Sequence, residues 1–387
     1  MTEHLGGANG GAGGDRHHTA GPGTVPSFGA EISGAVVEGG VVVHFGDPVR
    51  EQRALAAGRA AAPLADRTVI AVRGEDRLTW LDSITSQSVS TLAAGESTEL
   101  LVLTPQGHIE HAAAVLEDGE TTWLITDAAD APGLAKWLTM MRFRSRVEVA
   151  ERDDLVVVGF APEGKAAEAI VPLAQGRVWR DPWSVVSAGG WQYAQTDEHP
   201  GAERAWCEAI VDRNEASEGD VFAGAEPAGT AASEALRIAA WRPRWAGEVD
   251  EKAIPHESDW LRSAVHLNKG CYRGQETVAK VHNLGHPPRR MVMLHLDGSE
   301  STLPAPGAPV FDGDREVGRV TSVARHHELG PIALAIVSRR TAADAALVVD
   351  ADGTRVAASQ EVIVPADAGA TAEIPRITRL SRRPLAE

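Results

Sequence analysis

The pattern of apolar stretches changes at residues 285–288, and this change indicates two domains of different architecture. Before this point, apolar stretches of strand length alternate with amphipathic helical stretches and hairpin turns. After it, short apolar stretches follow one another, separated by turn dipeptides such as Asp312-Gly313. The first pattern predicts an α+β domain rather than a doubly wound parallel sheet, and the second predicts a small β-barrel or sandwich.

We therefore predict four regions along the chain. Residues 35–288 form an α+β domain of packed subdomains, and residues 289–366 form a C-terminal β-barrel domain. Residues 1–34 are mostly Gly, Ala, Thr and His. They contain too little apolar surface to offset the entropy of ordering, so we expect them to be disordered. Residues 367–387 are rich in Ala, Arg and Pro and are expected to be a tail.

Helical periodicity is the main guide to local structure in the first domain. Apolar residues at this spacing predict helices over residues 48–61, 75–87, 202–217, 231–241 and 275–282. Pro105-Gln106-Gly107 separates two strand-length stretches and predicts a hairpin. Cys207 lies inside one of the predicted helices, so we expect it to be a core residue.

Composition excludes several classes of function. The formal net charge is −17, which argues against a general nucleic-acid binder, because such proteins need a cationic surface. No apolar run approaches the roughly 20 residues that span a bilayer, and no export signal is visible. Two distant cysteines do not make a disulfide framework and suit a reducing compartment. We therefore expect a cytoplasmic protein without a membrane partner.

One stretch concentrates chemically active side chains, and it reads Lys269-Gly270-Cys271-Tyr272-Arg273-Gly274-Gln275-Glu276. Cys271 lies between two cations in sequence, and such neighbours favour the thiolate of a reactive or metal-ligating cysteine. The alternative is a buried cysteine that packs as a small apolar residue. Because the two flanking glycines favour an unusual backbone over a core element, we interpret Cys271 as functional.

Further polar residues precede this stretch, namely Arg237, Arg242, Arg244, Glu248, Asp250 and Glu257. They suit a ligand with a heteroaromatic head and an anionic tail, since a carboxylate accepts paired N–H bonds and a cation meets the tail. A salt-bridged surface loop explains the same residues equally well. His108 and His111 do not predict a metal site, because they point to opposite faces of a strand and lack a third ligand.

The residues at 269–276 resemble the signature of the YgfZ family of tetrahydrofolate-binding proteins, which is related to the glycine cleavage T-protein, an aminomethyltransferase. The resemblance extends to Leu236-Arg237-Ile238, to residues 247–251 and to Ile254-Pro255-His256-Glu257. Residues 103–107 are similar to a further region of that family. In total the resemblance covers about residues 40–365.

This resemblance implies a folate-binding domain of α/β subdomains around a central pocket, followed by a C-terminal barrel. It also implies a tetrahydrofolate or one-carbon-substituted folate cofactor and a role in assembling or repairing iron–sulfur clusters. Cys271 is the implied functional residue, with Lys269 beside it. The folate-site residues assigned with them are Arg237, Glu248, Glu257, Tyr272, Gly274, Gln275 and Glu276. The implied partners are iron–sulfur enzymes or cluster carriers.

Two departures from the T-protein pattern bear on the choice of function. Where T-proteins have a sequence similar to Gly-Gly-x-x-Asp-Asp, the corresponding residues of this chain are 106–111. Glu110 and His111 stand there at the two acidic positions. Where T-proteins have a sequence similar to Leu-Arg-Leu-Glu, the corresponding stretch of this chain has Ala239 in place of the glutamate. Both departures, and the cysteine that T-proteins lack, favour a folate-dependent accessory protein over a classical enzyme. The alternative hypothesis is a folate-dependent aminomethyl or one-carbon transferase.

Overall fold

The computed structural model describes residues 28–218, 222–299 and 302–372. In chain order the strands before residue 288 are β1 (Val36–Glu38), β2 (Val41–His44), β3 (Ala60–Pro63), β4 (Arg67–Arg73), β5 (Ser97–Leu103), β6 (Ile109–Glu117), β7 (Thr121–Asp127), β8 (Glu148–Arg152), β9 (Leu155–Phe160), β10 (Val178–Arg180), β11 (Cys207–Asp212) and β12 (Glu226–Pro227). The helices are α1 (Pro48–Ala56), α2 (Arg77–Ile84), α3 (Ala131–Met140), α4 (Lys165–Leu173), α5 (Arg213–Glu218), α6 (Thr230–Ala239), α7 (Trp245–Glu248), α8 (Leu261–Ala264) and α9 (Gln275–Leu284).

Two five-stranded sheets form the centre of the first domain. One has the strand order β5-β6-β7-β4-β8 and the other β10-β11-β9-β3-β12. The pairings are antiparallel except for the short parallel pair of β12 with β3. This confirms the predicted α+β class, because a doubly wound fold would need mostly parallel strands.

The two sheets pack face to face and each carries helices on its outer side. Apolar side chains of both sheets share one core, which includes Val69, Ile125, Val157 and Ile210. The opposite face of the first sheet packs against α2 and α3, and that of the second packs against α4. This layering follows from strand alternation, which places successive side chains on opposite faces of a sheet.

The C-terminal strands close into a six-stranded barrel and confirm the second part of the predicted fold. They are β13 (Arg289–Leu296), β14 (Pro309–Asp312), β15 (Arg315–His326), β16 (Gly330–Ser338), β17 (Leu347–Ala351) and β18 (Thr354–Val362). The last strand has a weak signal in the sequence, because Val356 and Val362 are its only large apolar residues. Its pairing with β13 closes the barrel and leaves no free edge.

Two helix predictions need correction. The helix predicted over 202–217 is wrong over residues 207–212, which form a central strand that pairs with β9 and β10 on either side, whereas its end, from Arg213, is helical as α5. The helix predicted over 48–61 ends at Ala56, and residues 60–63 form β3. Both segments are rich in alanine, which has the highest intrinsic helix propensity, but propensity is a weak guide that tertiary strand pairing overrides.

The predicted ends of the domains fall within residues that the structure describes. Residues 28–34 form turns and Phe28 is buried, so the disorder predicted for 1–34 does not extend to its last seven residues. Thr371 bonds the backbone of His282, so the ordered chain also continues past residue 366. The remaining residues of both predicted tails, 1–27 and 373–387, lie outside the described residues. The domain boundaries themselves stay predictions.

No helix within the described ranges is both long enough and apolar enough to cross a membrane.

Candidate functional site

The signature residues 269–276 form the connection between α8 and the N-terminus of α9. Gly274 has φ 85°, in the left-handed region, and immediately precedes the first residue of α9. A Cβ at this position would lie 2.6 Å from the carbonyl oxygen of Thr104. Only glycine satisfies both conditions without strain, which confirms the prediction of an unusual backbone at Gly274. Gly270, by contrast, is surrounded by open space.

Lys269 anchors this connection to the end of α2. Its Nζ atom donates hydrogen bonds to the carbonyl oxygens of Asp82, Thr85 and Gln87 at 2.5–3.0 Å. These are carbonyl groups at and just beyond the C-terminus of α2, where a cation also meets the negative end of the helix dipole. Burial lowers the pKa of Lys269, although the nearby Asp82 carboxylate opposes that change. All three N–H donors are used, so the geometry gives Lys269 a positioning role.

The other predicted signature residues are either packed against the protein or exposed to solvent. Tyr272 is buried beneath the Lys269 ammonium, which lies 5.5 Å from its ring centre, and its hydroxyl makes no hydrogen bond. Gln275 donates through Nε2 to the Lys269 carbonyl at 3.2 Å. Glu276 is exposed on the first turn of α9. These contacts hold the backbone on both sides of Cys271.

The two cysteines occupy opposite environments. Cys271 is exposed to solvent, whereas Cys207 is buried on β11, which confirms the core assignment of Cys207. Neither cation beside Cys271 in sequence is free, because Lys269 bonds the end of α2 and Arg273 pairs with Glu110 at 2.6 Å. The accessibility of Cys271 on an anchored loop, rather than its neighbouring charges, is therefore what supports a functional thiol.

We expect iodoacetamide to modify Cys271 in the native protein at least about tenfold faster than Cys207. Burial raises the pKa of the Cys207 thiol to about 11, so that side chain is both shielded and protonated at neutral pH. Peptide mass spectrometry over a time course measures the two rates, with urea-unfolded protein as the control in which both thiols react. Equal rates in the native protein would contradict the assignment.

Three segments distant in sequence meet at the signature. Glu110 forms its ion pair with Arg273, and the Glu110 carbonyl accepts a hydrogen bond from Trp245 Nε1 at 2.9 Å. Ile109 N donates to the Ala253 carbonyl at 2.8 Å. The structure therefore joins the signature to residues 104–111 and, through Ile109 and Glu110, to residues 245–253.

The predicted folate-site residues of 237–257 are buried in ion pairs. Arg237 pairs with Glu248 at 3.0 Å, and Glu248 also accepts hydrogen bonds from Thr321 and Ser322 of the barrel. Glu257 pairs with Arg289 at the start of β13. These carboxylates join the first domain to the barrel, and their oxygen atoms already have partners.

A cavity of about 80 Å³ lies at the centre of the first domain. Its charged lining residues are Asp66, Arg67, Glu99, Asp127, Asp181, Arg204, Glu208, Glu234, Arg237, Arg242 and Arg244. Four tryptophans complete the walls: Trp179, Trp206, Trp245 and Trp260. The signature residues 269–276 are absent from the described residues that line it. The structure thus separates the thiol from the cavity, which the sequence analysis had placed together.

Arginine–carboxylate pairs balance the charges around this cavity. Arg244 pairs with Asp66, Asp127 and Glu234, and Arg242 pairs with Glu99 and Asp181. Burial alone would raise the pKa of Glu234, but Arg237 and Arg244 hold it near 2. The same balance between burial and neighbouring arginines lowers the pKa of Asp127 and Asp181. All three carboxylates are therefore ionised at neutral pH.

Three buried polar atoms at the cavity have no hydrogen-bond partner among the described residues: Glu99 Oε1, Arg204 Nε and Arg242 Nη1. Glu99 uses its other oxygen to accept from Arg242 and from Trp260 Nε1. Such atoms are costly when left unpaired and suit a polar ligand or water. Glu99 and Arg204 were not predicted from the sequence, because they lie on separate segments with no recognisable spacing.

Comparison with known proteins identifies the fold. The chain superposes on the crystal structure of the glycine cleavage system aminomethyltransferase T from Bartonella henselae with a TM-score of 0.67. The two sequences are 17% identical, and the match covers 85% of this chain and 94% of that chain. The chain has the aminomethyltransferase fold.

Sequence comparisons agree with this fold. The model of the glycine cleavage T-protein C-terminal barrel domain matches residues 289–363. The aminomethyltransferase of Bacillus subtilis is 23% identical over 328 residues, which are 77% of this chain and 85% of that protein. The aminomethyltransferase of Moorella thermoacetica is 34% identical over a shorter stretch of 120 residues, 31% of this chain and 32% of that protein.

Within this aminomethyltransferase fold, the departure at residues 110–111 has a defined geometry. His111 Nδ1 lies 2.5 Å from Asp130 Oδ1, and the other Asp130 oxygen accepts from Ala112 N and Thr126 Oγ1. Glu110 forms an ion pair with Arg273. The first acidic position thus carries a carboxylate engaged by an arginine, and the second carries an imidazole in place of a carboxylate. Among the described residues, no group of three or more His, Cys, Asp or Glu side chains is arranged to hold a metal ion.

Proposed function

We propose that this chain is a tetrahydrofolate-binding protein of the YgfZ type that supports iron–sulfur enzymes through the Cys271 thiol. The observation that carries the proposal is an exposed thiol on a loop whose backbone is held by Lys269, Gly274 and Gln275. Reactive groups on rigid supports are typical of functional sites. A cytoplasmic location, as the composition predicts, would keep this thiol reduced.

The central cavity offers polar and aromatic groups that match the head of a folate. A pterin ring presents hydrogen-bond donors and acceptors along one edge, which match the unpaired Glu99 oxygen and the unpaired nitrogens of Arg204 and Arg242. Tryptophans of the walls offer aromatic faces to a flat ring. The open volume of about 80 Å³ is roughly half of the about 150 Å³ that accommodates a benzene ring, so the walls would have to move apart to admit the head, and the acidic tail would lie outside.

Each residue then has a defined task. Glu99 would accept N–H bonds from the head, Arg242 would hold Glu99 in place, and Trp260 would fix the remaining Glu99 oxygen. Bound tetrahydrofolate supplies a carrier for one-carbon units. Trp260, which bonds Glu99, directly precedes α8, and the signature follows shortly after α8. A ligand at Glu99 would therefore be connected to the thiol through this short segment of the chain.

The thiol would serve a cluster held mainly by another protein. Iron–sulfur clusters usually need four protein ligands, and Cys271 supplies one. The second cysteine, Cys207, is buried in a strand. Transient contact with a cluster, a sulfur species or a client thiol therefore suits Cys271 better than permanent cluster binding.

Calorimetric titration with tetrahydrofolate tests the cavity. We expect Glu99→Gln to weaken binding at least about tenfold, because the amide presents an N–H group where the head needs a carboxylate oxygen. We expect Cys271→Ala to bind within about twofold of the wild type, because Cys271 lies outside the cavity. Absence of binding to the wild type at millimolar ligand would refute the folate assignment.

Complementation tests the thiol. In a strain that lacks the gene, Cys271→Ser should fail to restore iron–sulfur enzyme activities, whereas Cys207→Ser should restore them. Full restoration by Cys271→Ser would show that the thiol is not required.

The second candidate is a folate-dependent one-carbon transferase, favoured by relatives that carry the name aminomethyltransferase. Turnover of methylene-tetrahydrofolate with a lipoyl-carrier substrate would support it. The departure from the T-protein acidic pair argues against it, because Glu110 is engaged by Arg273 and His111 stands at the second acidic position.

A further inference from the structure

The first sheet of the α+β domain ends in an exposed edge strand, β8. Among the described residues β8 pairs with β4 alone, so one side of its backbone faces away from the sheet. Glu148, Ala150 and Glu151 are exposed, whereas the strand at the opposite edge, β5, is almost entirely buried. The outward N–H and C=O groups of an exposed edge strand can pair with a further strand. The edge at β8 is therefore open to a partner.

The connection from α3 to β8 presents two large apolar side chains to solvent. Phe143 is 83% exposed and Met140 is 59% exposed. The connection is anchored, because Trp80 Nε1 donates to the Met141 carbonyl at 2.9 Å and Arg146 pairs with the carboxylate that precedes α2. Phe143 has φ 44°, in the left-handed region that is unfavourable for residues other than glycine. An aromatic ring held in solvent on a strained, anchored backbone is typical of an interaction surface.

The charges of β8 complement each other when a second copy of the strand runs antiparallel to it. With a two-fold axis at Ala150, Glu148 lies opposite Arg152 of the partner, and this pair occurs twice. The same register sets Val149 opposite Glu151 of the partner, so no two like charges face each other directly. Opposite charges across a strand pair stabilise it, and like charges destabilise it. The strand is therefore complementary to itself in this register.

We propose that two copies of this chain associate through β8 and join their five-stranded sheets into one antiparallel sheet. Arg152 is positioned for this contact, because Asp154 and the face of Trp123 hold its guanidinium beside the edge. Burial of Phe143 and Met140 against the other copy adds to the backbone pairing. Because β8 has five residues, the dimer belongs to the weak class, with half-association between roughly 1 and 100 µM. These residues do not line the central cavity, so the dimer is independent of the folate proposal.

Sedimentation velocity of the full chain over this concentration range tests the dimer. We expect Glu148→Arg to weaken association at least about tenfold, because two pairs of arginines then face each other. Arg152→Glu should weaken it by a similar factor. A mixture of the two variants should associate again, because each copy then supplies the charge that the other needs. Glu163→Arg makes the same charge change at an exposed position before α4 and should associate like the wild type.

Phe143→Asn tests the apolar contact without a change of charge, and it keeps the proposal testable if Arg152→Glu does not fold. Asparagine tolerates the left-handed backbone, so the stability of the single chain should not fall, whereas association should weaken at least about threefold. A chain that stays monomeric at about 100 µM would overturn the proposal. Association that Glu148→Arg or Phe143→Asn leaves unchanged, or a mixture of folded charge variants that stays monomeric, would overturn it as well.

Discussion

Replacement of Arg242 by methionine is expected to lower the free energy of unfolding by about 3–5 kcal/mol. Arg242 is buried and pairs with Glu99 and Asp181, whose side chains are only 5% and 2% exposed. Methionine fills much of the same volume but leaves Glu99 without an ionic partner and Asp181 with Arg204 alone. Removing one partner of a buried pair costs far more than the pair itself contributes, because the remaining charge stays out of water.

Urea denaturation followed by tryptophan fluorescence measures this loss, and Arg319→Met is the matched control. Arg319 pairs with Glu316 on the exposed surface of the barrel, where an ion pair contributes about 0–1 kcal/mol. If Arg242→Met and Arg319→Met have the same stability, the charges around the cavity are not buried as the structure indicates.

Gly274→Ala is expected to lower the free energy of unfolding by about 2–4 kcal/mol. Two independent costs combine at this position. The left-handed backbone at φ 85° is unfavourable for alanine, and the added Cβ would meet the Thr104 carbonyl oxygen at 2.6 Å. The backbone of Gly274 and the turn at Gly107 must then separate, which would also disturb the loop that carries Cys271.

Gly270→Ala, four residues earlier in the same signature, provides the control. No atom lies within 4 Å of a Cβ built on Gly270, and its φ is not positive. We expect its stability to stay within about 0.5 kcal/mol of the wild type. Chemical denaturation of both variants gives the comparison, and equal losses would mean that the close approach at Thr104 is not a constraint.

Features of the fold that depend on residues close in sequence could be predicted. Alternating short apolar stretches and turn dipeptides predicted the α+β domain and the barrel, and Gly274 marked the start of α9. The segment 202–217 could not be predicted in the same way. Its central strand owes its structure to pairing with β9 and β10, and an alanine-rich sequence shows little of that pairing.

The candidate site was only partly predictable. The signature marked Cys271 because a thiol, two glycines and several polar groups occur together in eight residues. The structure supports a functional Cys271 for a different reason, however. Lys269 and Arg273 bind α2 and Glu110 and are not free beside the thiol. The positions of charged side chains depend on their partners, and those partners lie more than 150 residues away.

The sequence by itself determined the class of the fold, the position of the thiol and the backbone conformation at Gly274, since each depends on neighbouring residues. Only the tertiary structure decided which charges share the central cavity and that Cys271 lies outside it. Glu99, Arg204 and Arg242 come from three separate segments, and burial brings them together. A buried charge requires its partner nearby in space, whatever the distance along the chain.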